Sequence, residues 1–371
     1  MTRVVFVAPS LNGGGAERAA VTVLNALDAS AYVRALYLFR REGPYLGDLS
    51  AGVELVAASA DGRIARLRQL AAFLRAWRPD VVVSFLSFFS TYLAMRLAAS
   101  PARFVINQQT PLSAFLGDRD YAWRTPLRRR LFQAVARHVY PRADAVIATS
   151  RGVGDDLAAH FGVGPDAIAT VPNPFDLGAI ARAATEPLTV KVPAGVPLII
   201  SAGRFAEAKN WPLLIDALRL LKRDLAFHAL ILGQGEMEPE IRRRIDEAAL
   251  TADVTLCGFQ ANPWKFMARA DVFALTSHYE GFGNVLVEAM ACGTPVVATD
   301  SPGTRAIVEP GANGLLVKRH DARAFADALG TVLCDGELRQ RLCDGARIRA
   351  RDFAVGAVTA EYEHMFQRLT A

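Results

Sequence analysis

Lysine is missing from the first 185 residues of this chain. They hold 21 arginines against 14 aspartates and glutamates, a charge of +7, whereas the remaining 186 hold 21 basic and 23 acidic residues, a charge of −2. The basic first half points to an anionic partner there, either an acidic acceptor or a membrane surface, unless its arginine-rich helices are simply solvated. Cysteine is scarce. Cys257, Cys292, Cys334 and Cys343 form no C-x-x-C and have no histidine at zinc-finger spacing, which argues against a disulfide framework or zinc module. Free thiols in a reducing cytosol are the expectation. No apolar run reaches the length of a membrane span; the longest, residues 81–99, is broken by serines and by Arg96. The first residues pass straight into an apolar strand, so no secretory leader is expected. Low-complexity tracts and internal repeats are absent too.

What is present is a globular composition, 52% hydrophobic and 21% charged, over 371 residues, a length that suits two domains. Strand-like runs at residues 4–8, 35–39, 53–57, 81–85, 104–107, 145–149 and 169–171 alternate with helical patterns at 16–27, 63–77, 90–99, 126–140 and 152–161. A second series of strands is expected at 198–202, 226–232, 255–258, 272–275, 295–298 and 314–317, with helices starting near Trp211, Pro239, Asn262, Asn284, Gly303 and Asp321. Such alternation predicts α/β architecture with two doubly wound, Rossmann-like parallel sheets. The Pro- and Ala-rich stretch 176–197 reads as a linker between domains at 1–175 and 198–354. A last helix is expected from Val355 to Leu369.

In open parallel sheets, ligands bind beyond the carboxyl ends of the strands, so the loops after strands carry the functional signal. The strongest is Ser277 to Asp300, SHYEGFGNVLVEAMACGTPVVATD. Glu280 precedes a predicted helix opening at about Asn284, and Glu288 falls one turn inside it. A helix N-terminus offers unpaired N–H groups and partial positive charge, hence an anion site. Carboxylates beside it accept hydrogen bonds from hydroxyls. Phosphate on one side and hydroxyls on the other describe a nucleotide sugar. After the first strand of the second series comes Gly203-Arg204-Phe205, then Lys209-Asn210. Arginine's fixed fork of donors and lysine's compact charge suit a departing diphosphate. Leu232-Gly233-Gln234-Gly235 and Gly258-Phe259-Gln260 follow the next two strands, either as plain turns or as contacts to the nucleotide. At the start of the chain, Ser10 to Glu17, SLNGGGAE, brings backbone close to a ligand or the facing domain, or is only a tight turn. Its spacing is not that of a dinucleotide fingerprint, which disfavours a dehydrogenase.

The run E-G-F-G-x-x-x-x-E-A-M-A-x-G-x-P-V-V-A, from Glu280 to Ala298, resembles the E-x7-E signature of retaining glycosyltransferases of family 4. The resemblance extends over nearly the whole chain. It implies the GT-B fold, two Rossmann-like domains facing a cleft, with the final helix (355–371) crossing back to the first domain. It implies catalytic roles for Glu280, Arg204 and Lys209. Glu280 would meet donor-sugar hydroxyls near the reacting carbon. The backbone of Gly281, Phe282, Gly283, Asn284 and Val285 would hold sugar hydroxyls and phosphate oxygens. Glu288 would hold the ribose, and Arg204 and Lys209 the diphosphate. Gly14, Gly15, Gly203, Gly233 and Phe259 complete the implied donor site, and Glu17 joins the acceptor or sugar side. One departure stands out. Many members carry a histidine in the first domain where this chain reads Ile106-Asn107-Gln108-Gln109-Thr110. Gln108 or Gln109 can hydrogen-bond a sugar but cannot relay a proton.

The implied reaction moves a hexosyl or N-acetylhexosaminyl group from a nucleotide diphosphate sugar, UDP-linked by expectation, to an acceptor hydroxyl. Saccharides and lipid-linked saccharides are the acceptor classes, in surface polysaccharide or lipid-linked oligosaccharide synthesis. No cofactor and no metal are expected, since no D-x-D pair sits where it could hold one. No nucleic acid partner is expected. The basic amphipathic segment Arg124 to Arg142 is either a surface helix with its apolar face in the core or a contact with anionic membrane, which would put the protein in the cytoplasm, peripheral on the inner membrane. Two alternatives remain: a nucleotide-sugar epimerase of the same fold, which needs no acceptor, and a catalytically silent nucleotide-sugar-binding subunit.

Overall fold

The computed structural model describes residues 1–117, 125–188 and 190–371. The chain divides into two compact units. Of the described residues, the first takes Met1–Leu116, 125–175 and Ala354–Ala371; the second takes Gly117 and Asp176–Phe353.

In chain order the first unit runs β1 (Thr2–Ala8), α1 (Gly15–Ala26), β2 (Tyr32–Leu38), β3 (Glu54–Ala57), α2 (Arg63–Trp77), β4 (Val81–Phe85), α3 (Phe88–Ala98), β5 (Arg103–Gln108), α4 (Leu112–Gly117), α5 (Pro126–Val139), β6 (Ala145–Ala148), α6 (Arg151–Phe161) and β7 (Ile168–Thr170). The second continues with α7 (Leu177–Ala184), β8 (Leu198–Ala202), α8 (Trp211–Leu221), β9 (His228–Leu232), α9 (Glu238–Glu247), β10 (Val254–Gly258), α10 (Trp264–Met267), β11 (Val272–Leu275), α11 (Asn284–Ala291), β12 (Val296–Thr299), α12 (Pro302–Arg305), β13 (Gly314–Val317), α13 (Ala322–Cys334) and α14 (Gly336–Ala350). The final helix, α15 (Val355–Thr370), returns to the first unit.

The first sheet has the order β3-β2-β1-β4-β5-β6-β7 and the second β10-β9-β8-β11-β12-β13. Every pair is parallel. The central strands are largely apolar because helices cover both faces: all of VVVSF in β4 and LIISA in β8 is buried, the serines included. In each sheet the chain winds outward on one side and then jumps to the other. The jump places a crevice between β1 and β4 in the first sheet and between β8 and β11 in the second. Such reversals are where open parallel sheets bind ligands.

α15 packs on the first unit through Val358, Tyr362, Met365 and Phe366. Tyr362 lies 6.4 Å from Phe6, and Phe366 meets Tyr32 edge-on at 6.1 Å. The returning chain is fastened where it re-enters: Val355 N donates to Phe175 O at 2.9 Å. Residues 176–197, expected as a linker, lie within the second unit and carry α7. The Asp176 carboxylate caps the helix at Ala179 N (2.8 Å), and Asn262 Nδ2 holds its other end at Ala183 O (2.8 Å).

Candidate active site

The loop after β8 is built on its aromatic residues. Phe205 and Trp211 are fully buried and meet edge-on at 5.1 Å, and Trp211 Nε1 donates to Arg204 O at 3.1 Å. That anchoring leaves the Arg204 side chain at the surface. The loop after β9 is laced to it: Gly203 N donates to Leu232 O (3.0 Å) and Phe205 N to Gln234 O (2.9 Å). The approach demands glycine. Gly233 and Gly235 have φ of +150° and +154°, and a Cβ on Gly233 would lie 1.9 Å from Gly203 O.

The loop after β11 comes next to it, because β8 and β11 are neighbours. His278 N donates to Ala208 O at 2.9 Å and Thr276 Oγ1 to Lys209 O at 3.2 Å. The side chains converge as well. Lys209 Nζ lies 2.5 Å from Glu280 Oε1, with the two side chains only 22% and 12% exposed. Ser277 Oγ donates to the same oxygen at 2.6 Å. A cation and a carboxylate 71 positions apart in the chain thus meet in the crevice of the second sheet.

Gly281, Phe282 and Gly283 lead buried into α11, with Gly283 at φ +103°. Phe282 is held edge-on against Phe353 at 5.3 Å. Asn284 and Val285 form the first turn, half-buried, so the N–H end of the helix lies beside the Lys209–Glu280 pair in sequence and fold. Glu288 sits one turn in and is 5% exposed. Burial, and then the neighbouring Glu288 carboxylate, push the Cys292 thiol up to about 12, so this cysteine is an inert neutral group at physiological pH. Phe259, beyond the end of β10, exposes 58% of its surface.

Gly14, Gly15, Glu17, Gln108 and Gln109 belong to the first unit. Gly14 and Gly15 lead into α1 after β1, at the reversal of that sheet. Glu17 folds back over this turn: a Cβ on Gly14 would lie 2.3 Å from its Oε2. Burial raises the carboxyl pKa of Glu17, with its own backbone N–H opposing. Gln108 donates from Nε2 to Thr110 O at 2.6 Å and accepts from Tyr140 OH at 2.5 Å. Gln109 donates to Asn107 Oδ1 and accepts from Asn173 Nδ2 at 2.8 Å. Both amides are engaged within the unit, in a network that Asn107 extends to Tyr362 OH on α15 at 2.7 Å.

Besides Lys209, the residues that hold Glu280 and its loop were passed over by sequence reasoning. Ser277 stands three positions before it, within reach of a hydroxyl, but serines at that offset are common. Thr299, Gly303 and Thr304 come from β12 and α12, and nothing in the sequence tied them to Glu280 before the fold brought them under the loop.

Two family models match the chain: glycosyl transferases group 1 over residues 189–349 and glycosyltransferase family 4 over residues 13–179. The Campylobacter jejuni enzyme N-acetylgalactosamine-N,N'-diacetylbacillosaminyl-diphospho-undecaprenol 4-alpha-N-acetylgalactosaminyltransferase is 34% identical over 265 residues, covering 71% of this chain and 69% of that one. The chain belongs to glycosyltransferase family 4. A D-inositol 3-phosphate glycosyltransferase from Xylanimonas cellulosilytica is 32% identical over 246 residues, 62% of this chain and 58% of that one. Among solved structures, Anabaena HepE in complex with UDP-glucose superposes with a TM-score of 0.81 at 21% identity, over 99% of this chain and 100% of that one. Sucrose-phosphate synthase from Thermosynechococcus elongatus gives 0.83 at 20% identity, over 100% and 99%. These likenesses show the GT-B fold. The family 4 chain is thus a glycosyltransferase, and its two sheets are the two Rossmann-like units of that fold.

Proposed function

We propose that this glycosyltransferase retains anomeric configuration and moves a hexosyl or N-acetylhexosaminyl group from a UDP-linked donor to a saccharide or lipid-linked saccharide hydroxyl, without a metal ion. The observation that carries the reading is the Lys209–Glu280 pair, 2.5 Å apart at the strand reversal of the second sheet and beside the start of α11. Arg204, Lys209 and the helix N-terminus supply the positive charge a divalent ion would otherwise bring to a departing diphosphate. Glu280 receives hydroxyls of the donor sugar, Glu288 those of the ribose, and Phe259 borders the base. The acceptor oxygen bonds to the anomeric carbon on the face from which the phosphate oxygen departs, and that oxygen takes the acceptor proton. The second unit is therefore the donor unit and the first the acceptor unit. The Anabaena structure with UDP-glucose and the Campylobacter enzyme, whose name joins N-acetylgalactosamine to a diphospho-undecaprenol acceptor, support this choice of substrates.

A lipid-linked acceptor requires access to a membrane surface. Among the described residues no helix is long and apolar enough to cross a membrane. α5 offers a peripheral alternative on the cytoplasmic face. Its later turns pack in the core through Ala136 and Val139, while its first turns expose Leu127 (76%) and Leu131 (64%) around Arg128, Arg129 and Arg130. Apolar side chains among arginines on an open helix face suit an anionic lipid surface. Arg124, the first residue of the segment singled out by sequence, lies outside the described residues.

The test is a donor screen by thermal shift, followed by transfer assays. A ligand binding only the folded state stabilises it by about 2.7 kcal/mol at a hundredfold excess over its dissociation constant. UDP should raise the melting temperature, and UDP release from one UDP-hexose or UDP-N-acetylhexosamine should require an acceptor. Donor turnover with no acceptor requirement would point to an epimerase instead, and nucleotide binding with no turnover to a silent subunit.

A further inference from the structure

We propose that Ser277 is a positioning residue for Glu280, and that Thr299, Thr304 and Gly303 hold the loop between them at the register this requires. The proposal rests on the assignment of Glu280 to the donor sugar.

Lys209 Nζ and Ser277 Oγ both donate to Glu280 Oε1, at 2.5 and 2.6 Å. Two donors on one oxygen fix the plane of the carboxylate in a way the lysine alone cannot, because an ammonium on a flexible stem is a rotatable point charge. Oε2 is then the oxygen we assign to the sugar hydroxyl.

The hydroxyl that sets this plane is itself set. Ser277 is 1% exposed. Its carbonyl accepts from Thr299 Oγ1 at 2.6 Å, and the Thr299 carbonyl accepts from Thr304 Oγ1 at 2.8 Å. Thr299 and Thr304 are fully buried, and Thr304 also closes the capping box of α12 with Ser301. The other end of the loop rests on α12: a Cβ on Gly303 would lie 2.4 Å from Glu280 O. A buried line of hydroxyls fixes the carbonyl of Ser277, and a bare α-carbon supports the carbonyl of Glu280. One buried hydroxyl on the carboxylate, with two more holding the backbone behind it, is the kind of support that fixes a sugar-binding group in place.

The experiment compares wild type, S277A, S277C, S277T and E280Q for turnover, donor KM and UDP affinity by calorimetry. S277A should lower kcat about tenfold, the scale of one hydrogen bond to a charged group, and leave UDP affinity unchanged. S277C, which keeps the volume, should lose as much, and S277T, which keeps the hydroxyl, should retain more activity than either. In an E280Q background S277A should add less than twofold, since the group it positions is already altered. Normal turnover in S277A beside a strongly impaired E280Q would overturn the positioning role alone. Equal losses of kcat and UDP affinity in S277A and S277C would overturn it too, leaving the hydroxyl merely structural. Normal turnover in E280Q would instead overturn the assignment of Glu280 to the sugar.

Discussion

Replacing Lys209 by methionine tests the ion pair and the chemistry separately. The substitution keeps the length of the stem and removes the charge. Exposed pairs contribute about 0–1 kcal/mol, whereas removing one partner of a fully buried pair costs about 3–5 kcal/mol. With side chains 22% and 12% exposed, Lys209 and Glu280 stand between these cases, and about 2 kcal/mol is the expected loss in K209M. For a unit of this size that lowers the melting temperature by roughly 4–8 °C. Most of the loss is the desolvated carboxylate left without its cation, so the double variant K209M/E280Q should recover about half of it. Turnover should not recover. Losing one preorganised charge from the diphosphate site costs roughly 10²–10³-fold, and the double variant should lie at least as low. Calorimetric melting of the four proteins of the cycle, with acceptor-dependent UDP release, gives both readouts. A K209M protein that melts with the wild type would refute the pair, and one that transfers at near-normal rate would refute the charge assignment.

Other outcomes follow from the same geometry. Glu288→Gln should mainly weaken UDP binding and Glu280→Gln mainly lower kcat; equal losses of UDP affinity by calorimetry would contradict the division. Activity should survive excess EDTA, and loss on chelation restored by magnesium or manganese would contradict the charge-replacement reading. Replacing Arg128, Arg129 and Arg130 by Gln should release the protein from anionic vesicles at low salt while sparing transfer to a short soluble acceptor; wild type that never sediments with such vesicles would leave α5 an ordinary surface helix. Burial raises the pKa of Glu17 in the fold, so the folded state disfavours its charge once pH exceeds the unfolded value. Glu17→Gln should therefore stabilise the protein at pH 7, and the gain should vanish as pH falls below the ordinary carboxylate range, as followed by melting at about pH 3 and 7.

Strands were the most legible feature, since a short, largely apolar run bounded by turn residues is too short for a typical helix and favours a strand. The expected and observed bounds of β4, β8, β11 and β13 coincide, as do those of α2. Helices α7 and α14 had no counterpart in the sequence reading. α14 starts two residues after α13 ends, and only the Asp335 side chain, capping Leu338 N at 2.9 Å, separates them. α7 lay hidden in a Pro- and Ala-rich stretch, because its hold on the second unit runs through Asn262, far along the chain. At the candidate site, local pattern revealed Glu280, Glu288 and the turn into α11. It could not reveal that Lys209 pairs with Glu280, or that Gln108 and Gln109 are engaged by Tyr140 and Asn173, because those contacts are made by folding.

The most direct test is a crystal structure of the protein with UDP. The diphosphate should lie against Arg204, Lys209 and the first turn of α11, with the ribose hydroxyls on the Glu288 carboxylate. A nucleotide bound elsewhere, or a ribose that leaves Glu288 untouched, would contradict the donor site proposed for the second unit.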